Sequence, residues 1–392
     1  MVAGHLQEKK GNFYIVLSYT DAENKRRVKW VSTNLPVKGN KKRAEQMLLE
    51  ERKNFKPPVE KGALSSDMPF ADYLEEWVKM AKSTIRIATY SSYSSLLRSV
   101  ILPYFRATGI TLGDLKAMHI QKFYSQQLER VSANTVIHYH AVIHRALKYA
   151  VKIELLNANV ADRVERPKKE RFVPEYYDGE KINQLFTLVE GTEFELPVKL
   201  AAFYGLRRSE IIGLKWSAID FQRNTITINH TVTSVEVDGK HFEVASDTTK
   251  TKSSLRTLPL VSQFKDLLLR KKKEQEEYRC VCGNSYSKEY LDYVCVNPLG
   301  DRMKCDFLTE SFPKFLKKHR MPPIRFHDLR HSCASLLLAN RVPMKQIQEW
   351  LGHSDFSTTA NIYAHLDYHS KIDSAEAILS GLSMMPTISE EK

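Results

Sequence analysis

The sequence predicts a multidomain α+β protein, and three observations carry that expectation. Apolar and polar residues alternate with period two over 13–19, which marks a strand near the start. From residue 70 the apolar residues recur at helical spacing. Beyond 172, helical stripes alternate with short strand-like runs. The expected layout is a small β-sheet and helix unit over 1–60, an all-α unit over 66–165 and a mixed, mainly α unit over 172–392. At 42% hydrophobic and 27% charged, the 392 residues have the balance of a folded chain.

In the first unit, Phe13, Ile15, Leu17 and Tyr19 alternate with Tyr14, Val16 and Ser18. Asp21 to Asn24 is turn chemistry, and Arg27 to Ser32 can return as the partner strand. His5 to Lys9 can add a third, short strand. Lys41 to Asn54 reads as a helix with Ala44, Met47 and Leu48 inward. Its basic strands suit a polyanion, and a solvated basic sheet is the plain alternative.

Lys56-Pro57-Pro58 and the stretch from Gly62 to Ser66 form a linker. Phe70, Tyr73, Leu74 and Trp77 then make one helical stripe, and Tyr90, Tyr93, Leu97 and Ile101 a second. A third helix is expected over His119–Leu128. A fourth, capped at Ser132, carries Val136, Tyr139, Ile143, Leu147 and Ala150. These aromatic stripes read as core. Arg163 to Arg171 has five basic residues around Pro167 and reads as a second linker, lying along a phosphate backbone.

In the last unit, helices are expected at 181–190, 197–204, 209–214, 262–276, 308–318, 328–339 and 344–351. Strands are expected at 225–228, 241–244, 255–260 and 293–296, with 248–254 as a polar, basic hairpin tip. Gly352 stops the helix before it, a short helix carries Tyr363, and Lys371 to Leu382 reads as an apolar-faced helix.

Lys and Arg number 59 against 46 Asp and Glu, a formal net charge of +13. A polyanionic partner explains that excess, because neutralising phosphates releases counterions. No apolar run reaches the ~20 residues that span a bilayer. The first 13 residues have no apolar core of a secretory signal, so a cytoplasmic, nucleoid-associated protein is expected. Cys280, Cys282, Cys295, Cys305 and Cys333 are an odd number and imply no disulfide framework. The spacing of the first four fits no common zinc knuckle, so they read as ordinary thiols and no metal or other cofactor is expected.

The chemistry gathers late in the chain. His327-Asp328-Leu329-Arg330-His331, Leu351-Gly352-His353 and Tyr363 fall within forty residues, and Gly205-Leu206-Arg207-Arg208-Ser209-Glu210 supplies a second arginine. Two arginines can hold the non-bridging oxygens of a phosphodiester, histidines can donate to it or move protons, and a tyrosine can attack phosphorus. Taken singly, each has an ordinary reading: Tyr363 as a core phenol, Asp328 as a helix-start carboxylate, His331 and His365 as structural or exposed.

In this order the four segments resemble the signatures of the tyrosine recombinases, the phage-integrase family. The likeness covers residues 65–370 in layout, the N-terminal unit resembles the arm-binding domains of integrases that recognise a second class of DNA site, and the three-part layout looks most like the integrases of conjugative transposons. It implies an arm-type DNA-binding domain over 1–60, a core-binding domain over 66–165 and a catalytic domain over 172–392. It further implies that Arg207 and Arg330 clamp the scissile phosphate, that His353 donates to it, and that Tyr363 is the nucleophile. His327 is the implied proton handler, with Glu210 and Asp328 holding these groups in place. Lys250 resembles the general acid, and Lys252 is its rival two residues on. Tyr368 lies too far from His353 for the family spacing. Implied partners are double-stranded DNA at core and arm attachment sites, three further copies in a tetramer, and an accessory bending or excision factor. The helix over 371–382 would dock on a neighbouring subunit or in cis. The function so implied is site-specific integration and excision of a mobile element. A relaxing topoisomerase of the same chemistry and a non-catalytic DNA-binding regulator are the alternatives.

Overall fold

The computed structural model describes residues 2–20, 26–55, 64–170, 175–247, 255–352 and 378. They fall into two compact units, one built from 1–84 and 95–168, the other from 85–94 and 169–392. Among the described residues no helix is long and apolar enough to cross a membrane.

The first unit opens with an antiparallel meander of β1 (Ala3–Lys9), β2 (Asn12–Thr20) and β3 (Arg26–Pro36). His5, Val16 and Trp30 stand opposite one another, so they share one face. The alternate face buries Phe13, Ile15 and Leu17, with Leu48 of α1 (Lys41–Asn54) over Leu17 beside Gly4. Trp30 and Val28 are left exposed on the other face, with Lys9 Nζ 5.2 Å from the Trp30 ring.

The helices that follow in the chain are α2 (Phe70–Ala81), α3 (Ile87–Leu96), of which 87–94 belongs to the second unit, α4 (Leu102–Thr108), α5 (Ala117–Leu128) and α6 (Ala133–Lys152). Phe70, Tyr73, Leu74 and Trp77 are buried, so this aromatic stripe is core. The Tyr73 hydroxyl donates to the Ala146 carbonyl at 2.6 Å, tying α2 to α6. The second expected helix is interrupted by one π turn at Leu97–Ile101. Pro103 follows immediately and has no N–H to return to the carbonyl of Ser99, so the regular ladder cannot close there. Arg163, Arg166, Lys168 and Lys169 are exposed.

The second unit packs α7 (Gly179–Val189), α8 (Glu195–Tyr204), α9 (Arg208–Gly213), α10 (Ser262–Cys282), α11 (Cys305–Lys318), α12 (Asp328–Ala339) and α13 (Met344–Leu351) around a main hydrophobic core and a smaller cluster between α12 and α13. Its strands form two small sheets. One is β4 (Ile219–Asp220), β5 (Thr225–Ile228) and β8 (Arg256–Pro259); the other is the hairpin β6 (Thr231–Val237) and β7 (Lys240–Ser246). This corrects the expected strand pairing. β7 pairs with β6 through a turn in which Asp238 and Gly239 both have positive φ, the geometry of a tight primed turn. β8 pairs with β5, in the other sheet, and the expected hairpin tip at 248–254 lies outside the described residues. Nor is 293–296 a strand: Tyr293 and Val296 make only isolated bridges, to Lys215 and Arg302.

Candidate active site

The site is built where α8 ends, α9 and α12 begin, and α13 stops. Gly205 caps α8 with φ +64°, a left-handed conformation that suits glycine. A methyl group there would run into Leu351 Cδ2 and meet Cys333 Sγ at 3.3 Å, so α8 and α13 approach closely only because the side chain is absent. Trp350 stacks on Tyr204 with an interplanar angle of 12°, and Ile347 and Leu351 pack with Cys333 and Ala334. These contacts fix the end of α13 against α8 and α12.

Arg207 begins α9 and is held at both ends by Glu210. Its backbone N–H donates to Oε2 at 2.9 Å, and its guanidinium donates to Oε1 at 2.7 Å. The carboxylate that accepts from the cap residue's N–H, one half of a capping box, therefore also orients the functional side chain. Glu210 is only 2% exposed and serves a second cation, Arg256 of β8, at 3.2 Å and 3.0 Å. Burial alone would raise the Glu210 carboxyl, but Arg256, Arg207 and Arg330 outweigh it and hold the pKa down at about 2.

Arg330, in the first turn of α12, is 2% exposed and donates to the carbonyls of Gly205 and, at 2.7 Å, Leu351. Burial lowers its pKa to about 9, and the neighbouring charge of Arg207 acts in the same direction. Arg207 reaches the next carbonyl, Gly352, at 2.9 Å, and Arg256 Nε the preceding one, Trp350, also at 2.9 Å. Three guanidiniums thus take three consecutive carbonyls at the end of α13. Helix ends leave such carbonyls without intrahelical partners and with partial negative charge, so cations are favoured there.

His327 caps α12. It is exposed as a residue, yet burial of the imidazole and the charge of Arg330 set it below the ordinary histidine pKa. Its ring meets that of His331 edge-on at 5.4 Å. His331 is buried, and burial with His327 nearby lowers it to about 4. Asp328 is held by Arg325, through its backbone N–H at 2.8 Å and its guanidinium at 2.8 and 3.1 Å. It therefore fixes the turn from which His327 emerges. Arg208 turns away from Arg207 toward Thr309 and the Cys305 carbonyl.

Of the residues singled out from the sequence, Arg207, Glu210, His327 and Arg330 come together with Arg256, which motif reading missed. A signal for it exists. Arg256, Leu258 and Leu260 share one face by period two, and an arginine on an otherwise apolar face needs a buried partner. Lys250, Lys252, His353, Tyr363, His365, Tyr368 and, apart from the helical, exposed Ile378, the helix expected over 371–382 lie outside the described residues. Cys295 and Cys305 are buried, and burial raises their thiols to about 12 and about 11.

Three arginines near one carboxylate leave an excess of positive charge that a phosphodiester would partly offset. Comparison with known proteins agrees. The phage integrase family profile matches residues 176–370, and the profile of the phage integrase N-terminal SAM-like domain matches 69–128. A XerC-like tyrosine recombinase of Caldanaerobacter subterraneus subsp. tengcongensis is 26% identical over 326 residues, 80% of this chain and 83% of that protein. Among solved structures, the Tn1549 transposon integrase bound to a circular intermediate DNA has the same fold, with TM-score 0.65, 18% identity, and 79% of this chain and 99% of that one covered. A lambda integrase tetramer bound to a Holliday junction matches with TM-score 0.53 and 15% identity, over 90% of this chain and 96% of that one. The chain belongs to the phage integrase family of tyrosine recombinases, enzymes that cut and rejoin DNA strands.

Proposed function

We propose that this chain integrates and excises a mobile element at specific DNA sites, with Arg207 and Arg330 as the clamp on the scissile phosphate. The observation that carries the reading is the convergence of Arg207 and Arg256 on the single carboxylate of Glu210, and of these two and Arg330 on the carbonyls at the end of α13. A guanidinium has five N–H donors, so contact with a carbonyl leaves it able to serve a phosphate as well. Donors fixed before the substrate arrives stabilise charge on the non-bridging oxygens as the phosphorus becomes five-coordinate.

Tyr363 would attack phosphorus, forming the phenolic O–P bond while the bond to the 5′-oxygen breaks. The leaving oxygen takes a proton from Lys250, with Lys252 as the alternative, and His327 handles the phenolic proton. His353 donates a further hydrogen bond to the phosphate. Because the ester conserves the bond energy, attack by a 5′-hydroxyl reverses the step and rejoins a strand without a cofactor. The reading extends to the whole chain: 1–60 as an arm-type domain, 66–165 as a core-binding domain, 172–392 as the catalytic domain. Four copies would act on paired DNA sites through a Holliday junction, in the cytoplasm of a bacterial cell at the nucleoid. An accessory bending or excision factor would set direction.

The test is a nicked suicide duplex carrying the attachment site of the element. The wild-type chain should form a covalent protein–DNA adduct without added divalent metal. Tyr363→Phe should bind the duplex equally well and form none. An adduct that persists in that variant rules out Tyr363 as the nucleophile.

A further inference from the structure

We propose that Arg256 is a positioning residue of strand cleavage, holding Glu210 on Arg207 and the end of α13 on the arginine cluster. The inference rests on the reading of Arg207 and Arg330 as the phosphate clamp. Arg256 joins two parts of the site that nothing else in its strand connects. Two of its nitrogens donate to the two oxygens of Glu210, and its third donates to the Trp350 carbonyl. Its side chain is 7% exposed and Glu210 is 2% exposed, so both ends of the pair are shielded from water. A shielded pair of this kind is strong in direction and costly to break from one side only.

The geometry follows from the sequence of β8. Thr257 and Pro259 point outward, whereas Arg256 shares the inner face with buried Leu258 and Leu260. β8 is held in register on β5, with Ile228 opposite Arg256. The guanidinium is thereby delivered from a sheet, while its partners come from helix α9 and the last turn of α13. Planar and three-sided, it can serve a carboxylate and a carbonyl at once; an ammonium is a point charge that cannot hold all three contacts in one plane. Two consequences follow for the clamp. With Arg256 on one side of it, the Glu210 carboxylate is fixed in the plane that presents Arg207. With the Trp350 carbonyl anchored, Leu351 and Gly352 are placed for Arg330 and Arg207, and the next residue in the chain is His353.

The experiment uses the full chain, its Arg256→Lys and Arg256→Gln variants, and the nicked suicide duplex under single-turnover conditions with protein saturating. Positioning predicts DNA affinity by mobility shift within about twofold of wild type, with adduct formation slowed roughly tenfold in Arg256→Lys and roughly 100-fold in Arg256→Gln. The final yield of adduct should be unchanged. Glu210→Gln combined with Arg256→Gln should lose far less than the product of the two single losses, because both act on Arg207. A purely structural role would instead lower the unfolding midpoint and the yield while leaving the rate constant of the folded fraction alone. That result, or wild-type rates in both variants, overturns the inference. Should Arg256→Gln fail to fold, Arg256→Lys, which keeps the charge, decides by the same rate constant. An adduct that forms in Tyr363→Phe would instead sink the parent reading, whatever the Arg256 variants do.

Discussion

His331 and Glu210 show what burial among charges does to single residues here. The His331 imidazole titrates at about 4 instead of the ordinary 6.5, because burial and the neighbouring His327 disfavour its charged form. The unfolded chain therefore binds the extra proton first, so stability is full above about pH 6.5 and is lost as pH falls toward 4. From pH 7 to 5 this one group should cost roughly 1–2 kcal/mol. Glu210 acts in a lower window, between its ordinary 4.5 and about 2, where protonation removes the partner of Arg207 and Arg256. Urea unfolding of wild type and His331→Gln at pH 7 and 5 checks the first claim. The variant should lose less stability over that interval, and equal losses would contradict it. At this scale the motifs single out Arg207, His327 and Arg330 by their spacing in the chain, and the fold gathers them. For Arg256 the period-two face signals a buried partner without saying which one. Its partners lie 46 and 94 positions away, and only the fold brings them within reach.

Elements were legible where one face is buried along its whole length. The stripes of α2 and α6 and the alternation of β2 all repeat their period against a continuous core. Legibility failed where pairing decides. The alternation in Thr231–Val237 is irregular in burial, and the Asp238-Gly239 turn was the better signal for that hairpin. Residues 293–296 have strand-like composition but no neighbour able to extend a ladder beyond single bridges. The junction of α8 and α13 gives the element-scale prediction. Gly205 combines a left-handed φ with the close approach of Leu351, so Gly205→Ala meets both a backbone and a steric penalty. It should destabilise the protein by roughly 1–3 kcal/mol. Relief by moving α13 outward would also pull Leu351 and Gly352 from Arg330 and Arg207, so adduct formation should slow in the fraction that stays folded. Denaturant titration and single-turnover cleavage on one preparation read both effects. Wild-type values in both would show that the contact is not needed.

For the whole molecule, the net charge of +13 bears on partners and says nothing about the fold. Where that charge sits decides what it does. Arg207, Arg256 and Arg330 are committed to Glu210 and to carbonyls at the end of α13, whereas Arg163, Arg166, Lys168 and Lys169 are exposed in one short segment. A phosphate contact contributes a slope of about −0.9 to the dependence of log affinity on log salt for duplex DNA. If Lys168 and Lys169 each neutralise a phosphate, Lys168→Gln/Lys169→Gln should flatten that slope by about 2. It should weaken binding to specific and unrelated duplexes alike, because phosphates position a protein without reporting sequence. The rate constant for adduct formation at saturating protein should stay at the wild-type value, since neither lysine is a member of the arginine cluster. Mobility-shift titrations from 50 to 200 mM salt, on attachment-site and random duplexes, measure the slope directly. An unchanged slope would place the charge of this segment away from DNA, and a loss confined to the attachment site would make the lysines readers of sequence.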